Sequence, residues 1–138
     1  MKASTKGKRM PEHPNVDLLR RGFAAFATGD LTTLEGMFAD DAIWHVPGRH
    51  RFSADYEGKA AIFQYFREFF QDMDSIVQDV HALLADDEHG VALQKVTATR
   101  GDDRLEVNNV LVFHIEDGLA TEVWVAPSDP YAADEFWA

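Results

Sequence analysis

The chain contains no cysteine, which excludes a disulfide framework, a thiolate zinc site and a cysteine nucleophile. It has no run of about 18 apolar residues, so no membrane-spanning helix is expected. The N-terminal stretch MKASTKGKRM is basic but lacks the apolar segment of a signal peptide. There is no glycine-rich phosphate loop and no Gly-x-Ser-x-Gly elbow, so nothing points to nucleotide binding or serine-hydrolase chemistry. His45 and His50 lie close in sequence, yet no helical His-x-x-x-His pair or carboxylate companion supports a metal, and none is expected. Positive charge is also short. Thirteen Lys and Arg stand against 24 Asp and Glu, a net charge of −11, and four of the positives (Lys2, Lys6, Lys8 and Arg9) fall at the N-terminus. A field of that sign makes nucleic acid and anionic membranes poor partners. Absent cysteine and an absent leader fit a cytoplasmic protein.

A chain of 138 residues is one domain by size and can bury a full core without a staple. Residues 1–12 read as a polar, aperiodic tail and residues 13–138 as a single domain. Val16, Leu19, Phe23 and Phe26 recur at helical spacing after Pro14-Asn15, with Asn15 the expected N-cap. Gly29 stops this helix, and Asp30 caps a second, LTTLEGMF. AIWHV reads as a strand ended by Pro47-Gly48, and residues 49–57 as an irregular polar loop. KAAIFQYFREFFQDM is an amphipathic helix whose wide aromatic band suits packing on a sheet. SIVQDVHALLA begins a run of four strands. The tail PSDPYAADEFWA carries Tyr131, Phe136 and Trp137, enough aromatic surface to predict that it docks over an opening or a neighbour.

The stretch Val91–Pro127 reads as three antiparallel strands joined at Gly101-Asp102 and Asp117-Gly118. With two-residue loops, counting places Gln94 opposite Asn109 and Leu111 opposite Trp124. One face then carries Gln94, Val96, Asn109, Leu111, Glu122 and Trp124, and the other Val91, Leu93, Val110, Val112, Val123 and Val125. Both faces are apolar at their centres, so both need cover. Helices before the meander argue α+β, a curved antiparallel sheet with three helices on its concave face and a conical pocket between. With no helix left for the convex face, a homodimer packed sheet to sheet is expected.

The runs RRGFAAFATGDLTTLEGMFADDAIWHVPG, EGKAAIFQYF and VFHIEDGLATEVWV resemble the NTF2-like superfamily, and within it SnoaL-like, ketosteroid-isomerase-like proteins. The resemblance covers residues 14–138. It implies the conical fold but is nearly silent on activity, because this fold hosts isomerases, cyclases, dehydratases, hydrolases and binding domains. The isomerase's aspartate base, first-helix tyrosine and second aspartate correspond to Val46, Gly22 and Leu111. None is retained, so steroid isomerisation by that mechanism is not expected.

The candidate pocket residues are therefore Trp44, Val46, Tyr56, Gln94, Asn109, Leu111 and Trp124. The amides of Gln94 and Asn109 could orient a ligand or support an oxyanion, or bond each other as a structural pair. His45 is the candidate general acid or base by its chemistry. Strand alternation with Val46 inward sends His45 to the outer face unless a bulge reverses it. His81 and Glu122 are the other titratable candidates. The expected function is a cofactor-independent isomerase, cyclase or dehydratase moving a proton on a hydrophobic small molecule. The alternative is a small-molecule-binding or accessory domain without catalysis.

Overall fold

The computed structural model describes residues 12–138. The expected tail, Glu12 apart, lies outside the described residues. The elements are α1 (Pro14–Ala27), α2 (Leu31–Glu35), β1 (Phe38–Val46), β2 (Ala54–Glu57), α3 (Lys59–Asp72), β3 (Ser75–Ala85), β4 (His89–Arg100), β5 (Asp103–Glu116), β6 (Leu119–Pro127) and α4 (Pro130–Phe136). The fold is α+β, a six-stranded unclosed sheet in the order β2-β1-β6-β5-β4-β3 with four helices. Neighbouring strands run antiparallel except β1 and β6, which are parallel.

Local chemistry sets the helix ends. Pro14 occupies the first turn of α1, where its missing N–H costs nothing. The N-cap is His13, whose ring accepts from Asn15 N, rather than Asn15 itself. The Asn15 amide instead donates to the Asp86 and Asp87 carbonyls, tying α1 to the β3–β4 turn. Asp30 caps α2 as expected, accepting from Thr33 N. That helix ends at Glu35, and the expected helical residue Phe38 opens β1 instead. The polar stretch expected as loop contributes β2, a short edge strand pairing Val46 with Ala54 and Trp44 with Tyr56.

The two hairpin turns stand where the sequence places them. Arg100 faces Asp103 and Glu116 faces Leu119. Asp117 and Gly118 both hold positive φ, 52° and 76°, as a two-residue primed turn requires. Gln94 pairs with Asn109 as counted. In the second hairpin the register slips by one between Ile115, opposite Ala120, and His114, opposite Glu122, so Thr121 is extra. Val112, not Leu111, faces Trp124. A one-residue bulge moves every following side chain to the other face. Val123 and Val125 therefore turn inward and Glu122 and Trp124 outward, the reverse of the expected assignment. A second irregularity falls at His81 in β3 and a third in β1 between Phe38 and Ile43. Such bulges bend strands, which lets the sheet wrap α1 and α3.

The core lies between these two helices and the concave face. Ile62, Phe66, Ala42, Ala92, Ala98 and Val123 are almost fully enclosed. Phe66 sits edge-on to Phe26 and Trp44, with ring centroids 5.4 and 5.1 Å apart. The C-terminal aromatics dock as predicted in part, with Phe136 and Trp137 buried while Tyr131 is 82% exposed.

Candidate functional site

A cavity of about 150 Å³ remains between the helices and the concave face, closed on one side by α4 and the 47–53 loop. Its walls are overwhelmingly apolar, from Leu19 and Phe23 on α1 through Phe66 and Phe69 on α3 to Leu111 and Phe113 on β5. Into this surface project three amides, Gln78, Gln94 and Asn109, the indoles of Trp44 and Trp137, and the His50 imidazole. Among the described residues, five buried side-chain polar atoms have no hydrogen-bond partner: Trp44 Nε1, Gln78 Oε1, Gln94 Oε1, Asn109 Oδ1 and Trp137 Nε1. All five belong to residues lining this cavity. Buried polar groups are normally paired, and an unpaired one costs about 1–3 kcal/mol. Together they give this apolar cavity a set of polar atoms with no partner among the described residues.

Gln94 is 2% exposed and stands directly across from Asn109, yet their oxygens remain unpaired. The alternative of a self-satisfied structural pair is not what the fold adopts. Of the candidate pocket residues, Trp44, Val46, Gln94, Asn109 and Leu111 line the cavity. Two expected members do not. Trp124 lies on the opposite face because of the Thr121 bulge. Tyr56 stacks on Tyr65 at 4.4 Å and donates its hydroxyl to the Phe52 carbonyl at 2.7 Å, so it braces the 47–53 loop.

His45 also takes the outer face. It pairs with Trp124 of β6 and stacks on that indole at 5.2 Å. Its Nδ1 lies 2.7 Å from Asp55 Oδ1 and its Nε2 2.6 Å from Glu122 Oε2. Burial, the largest single influence, would lower the pKa, but the two carboxylate hydrogen bonds and their charges outweigh it and raise the value above the ordinary histidine range. The residue clasps β2, β1 and β6 from outside and does not reach the cavity. His81 lies at the β3 bulge on an exposed position, and Glu122 is spent on His45.

His50 is the titratable side chain that sequence reasoning passed over as a cavity group. Its Nδ1 accepts from Phe52 N at 3.1 Å, which leaves Nε2 as the protonated nitrogen of the neutral ring. Burial holds its pKa below the ordinary range. The Arg51 guanidinium pushes the same way and the Asp134 carboxylate opposes. At neutral pH the ring is therefore uncharged. The 47–53 loop is fixed from several sides. Asp134 accepts from Arg49 N at 2.8 Å, and Arg51 N donates to the Trp137 carbonyl at 3.2 Å. Gly48 holds φ +96°, and a Cβ there would lie 2.4 Å from Asp134 Oδ1, so only glycine admits this contact. Asp72, its side chain 9% exposed, receives Arg51 at 2.7 Å and Arg100 at 2.6 Å. Arg100 also donates to the Phe136 carbonyl. Among the described residues no cluster of histidine and carboxylate side chains is arranged to hold a metal.

Gln78 went unnoticed for a definable reason. The His81 bulge shifts β3 by one residue against β4, and only that paired register shows that Gln78 shares the face of Gln94.

Residues 19–123 match the family model described as a SnoaL-like domain. The chain belongs to the SnoaL-like domain family. An uncharacterised protein of Mycobacterium tuberculosis is 29% identical to this SnoaL-like chain over 133 residues, 94% of the chain and all of the relative. The structure of Bal32a, from a soil-derived mobile gene cassette, superposes with a TM-score of 0.86 at 36% identity, covering 90% of this chain and 96% of that one. IdmH of Streptomyces antibioticus, described as a candidate polyketide cyclase, shares the fold at a TM-score of 0.71 and 16% identity, over 85% and 94% of the two chains. No helix among the described residues is long and apolar enough to cross a membrane.

Proposed function

We propose that this SnoaL-like protein is a cofactor-independent enzyme of isomerase, cyclase or dehydratase type, acting on a hydrophobic small molecule held in the cavity beneath α4. The observation that carries the reading is the gathering of the unpaired polar atoms around one apolar space. Concave, apolar sites with a few convergent polar groups are the usual form of small-molecule sites. In this reading the indole N–H groups, the amides and the His50 Nε2–H polarise a carbonyl and stabilise the enolate that forms when an adjacent C–H gives its proton to a solvent water, from which the carbon later takes a proton back. His50 Nε2 is the group placed to pass a proton to that oxygen and take it back. A neutral imidazole working as an electrophile in this way is an established pattern in other enzymes. That a fold neighbour is described as a candidate polyketide cyclase agrees with the reaction class without extending it.

The second reading, binding without turnover, is favoured by one observation: among the described residues no carboxylate lines the cavity, so they supply no strong base. A proton-exchange assay separates the two. With 1-indanone in D₂O, the account expects deuterium at the carbon next to the carbonyl, at a rate above buffer. His50→Ala should remove the excess, and His45→Ala should keep it. Exchange at the buffer rate while the ketone still binds would leave the binding reading alone.

We also propose that a second copy of the chain covers the convex face, where Val77, Leu84 and Val110 are exposed beside Val91, Leu93 and Val112. On this face Lys95 lies 3.5 Å from Glu106, so that pair of charges cancels.

A further inference from the structure

The cavity lining is graded along the strands. Asn109 pairs with Gln94 on one side and Pro127 on the other. Gln94 pairs with Val80, two residues from Gln78. Pro127 leads into α4, which brings in Trp137, and the His50 ring lies 5.3 Å from that indole. The three amides, His50 and Trp137 therefore share one end of the cavity. The far end is made of Leu19, Phe23, Met37, Phe113 and Ile115 and is purely apolar. Trp44, level with Val123 and Phe113, marks where that apolar end begins.

The amide end is also uncharged. His50 is neutral, and the Arg51 and Arg100 guanidinium groups that fasten the cover are both engaged by Asp72. A charged head placed here would have no counter-ion and would keep its full desolvation cost. A primary amide offers both a donor and an acceptor. Its end torsion is soft, so each of Gln78, Gln94 and Asn109 can turn either group towards a ligand. Gln94 and its neighbours carry buried oxygens with nothing to accept from, which calls for donors on the ligand. The Trp137 N–H, equally unpaired, calls for an acceptor.

We propose that the Gln78–Gln94–Asn109 row is a head-group subsite. It selects an uncharged group bearing a donor and an acceptor on one edge of a ring, a carboxamide or a hydroxy-carbonyl, with the ring directed towards α1. The assignment rests on the cavity reading above and adds the class of compound and its orientation.

Three ring compounds of nearly equal shape test it: benzamide, benzoate and isopropenylbenzene, titrated by ligand-observed NMR at pH 7.5. Benzamide should bind about tenfold more tightly than isopropenylbenzene, from one to two net hydrogen bonds, and more tightly than benzoate. The near-isosteric Gln94→Met, and separately Asn109→Leu, should erase the benzamide advantage while isopropenylbenzene still binds. If isopropenylbenzene or benzoate equals or exceeds benzamide in the wild type, the subsite is wrong and the cavity reading stands. If none of the three binds, both are overturned. If either variant that still binds isopropenylbenzene keeps the full benzamide preference, the amide it lacks is not the selector.

Discussion

Gln94 is a side chain that carries a cost in the free protein. Its oxygen is shut from solvent and unpaired, so replacing it with methionine removes an unmet hydrogen-bonding need at almost constant volume. We expect Gln94→Met to raise the stability of the ligand-free protein by about 1–2 kcal/mol, measured by urea unfolding. A loss of stability would mean that the amide is satisfied. His45 behaves in the opposite way. Its folded pKa lies above the unfolded value near 6.5, so its clasp contributes fully below about pH 6.5 and is lost as pH rises through the raised value. Wild type should exceed His45→Asn by on the order of 1 kcal/mol at pH 6, and the gap should close in the alkaline range. A gap independent of pH from 6 to 9 would contradict the protonated clasp.

At the scale of elements, α4 and the 47–53 loop act as one cover, because each is fastened to the other and to Asp72. Asp72→Asn leaves two guanidinium groups facing a neutral amide. With both arginines partly in water, we expect a cost of about 2 kcal/mol in unfolding free energy. The same change should shift Trp137 fluorescence to longer wavelength as the cover loosens, and an unshifted spectrum would place the latch elsewhere. How far the elements could be read from the sequence depends on where a residue is spent outside the regular period. The first hairpin has no irregularity, so the turn at Gly101-Asp102 and simple counting find the Gln94–Asn109 pair. In the second, Thr121 is extra, and nothing in LATEVWV announces it. Trp124 and Glu122 were accordingly placed on the wrong face, and the β3 bulge concealed Gln78 in the same way. His50 was hidden by a different cause, since its position depends on the loop's ties to α4, 80 and more residues away in sequence. The helical cover, the α+β class and the docking of Phe136 and Trp137 follow from periodicity and from the cost of exposing aromatics, and these were legible.

At the scale of the whole molecule, the sheet separates two surfaces of different make-up. The concave face holds the cavity. The convex face carries Val77 and Leu84, 61% and 55% exposed, a poor surface to leave in water. Sedimentation equilibrium at micromolar concentration should give twice the 15.5 kDa chain mass, and Val110→Glu should return it to the monomer. The chain has three tryptophans, and the fold distributes them so that one spectrum tests the division directly. Trp44 and Trp137 line the cavity, and Trp124 lies under His45 on the far side of the sheet. The ¹H–¹⁵N spectrum of the three indole N–H groups, recorded while benzamide is added, is the decisive measurement. The account predicts saturable shifts of the Trp44 and Trp137 signals, assigned by Trp→Phe variants, with the Trp124 signal unmoved. A shift confined to Trp124 would place the ligand on the outer face and contradict the account.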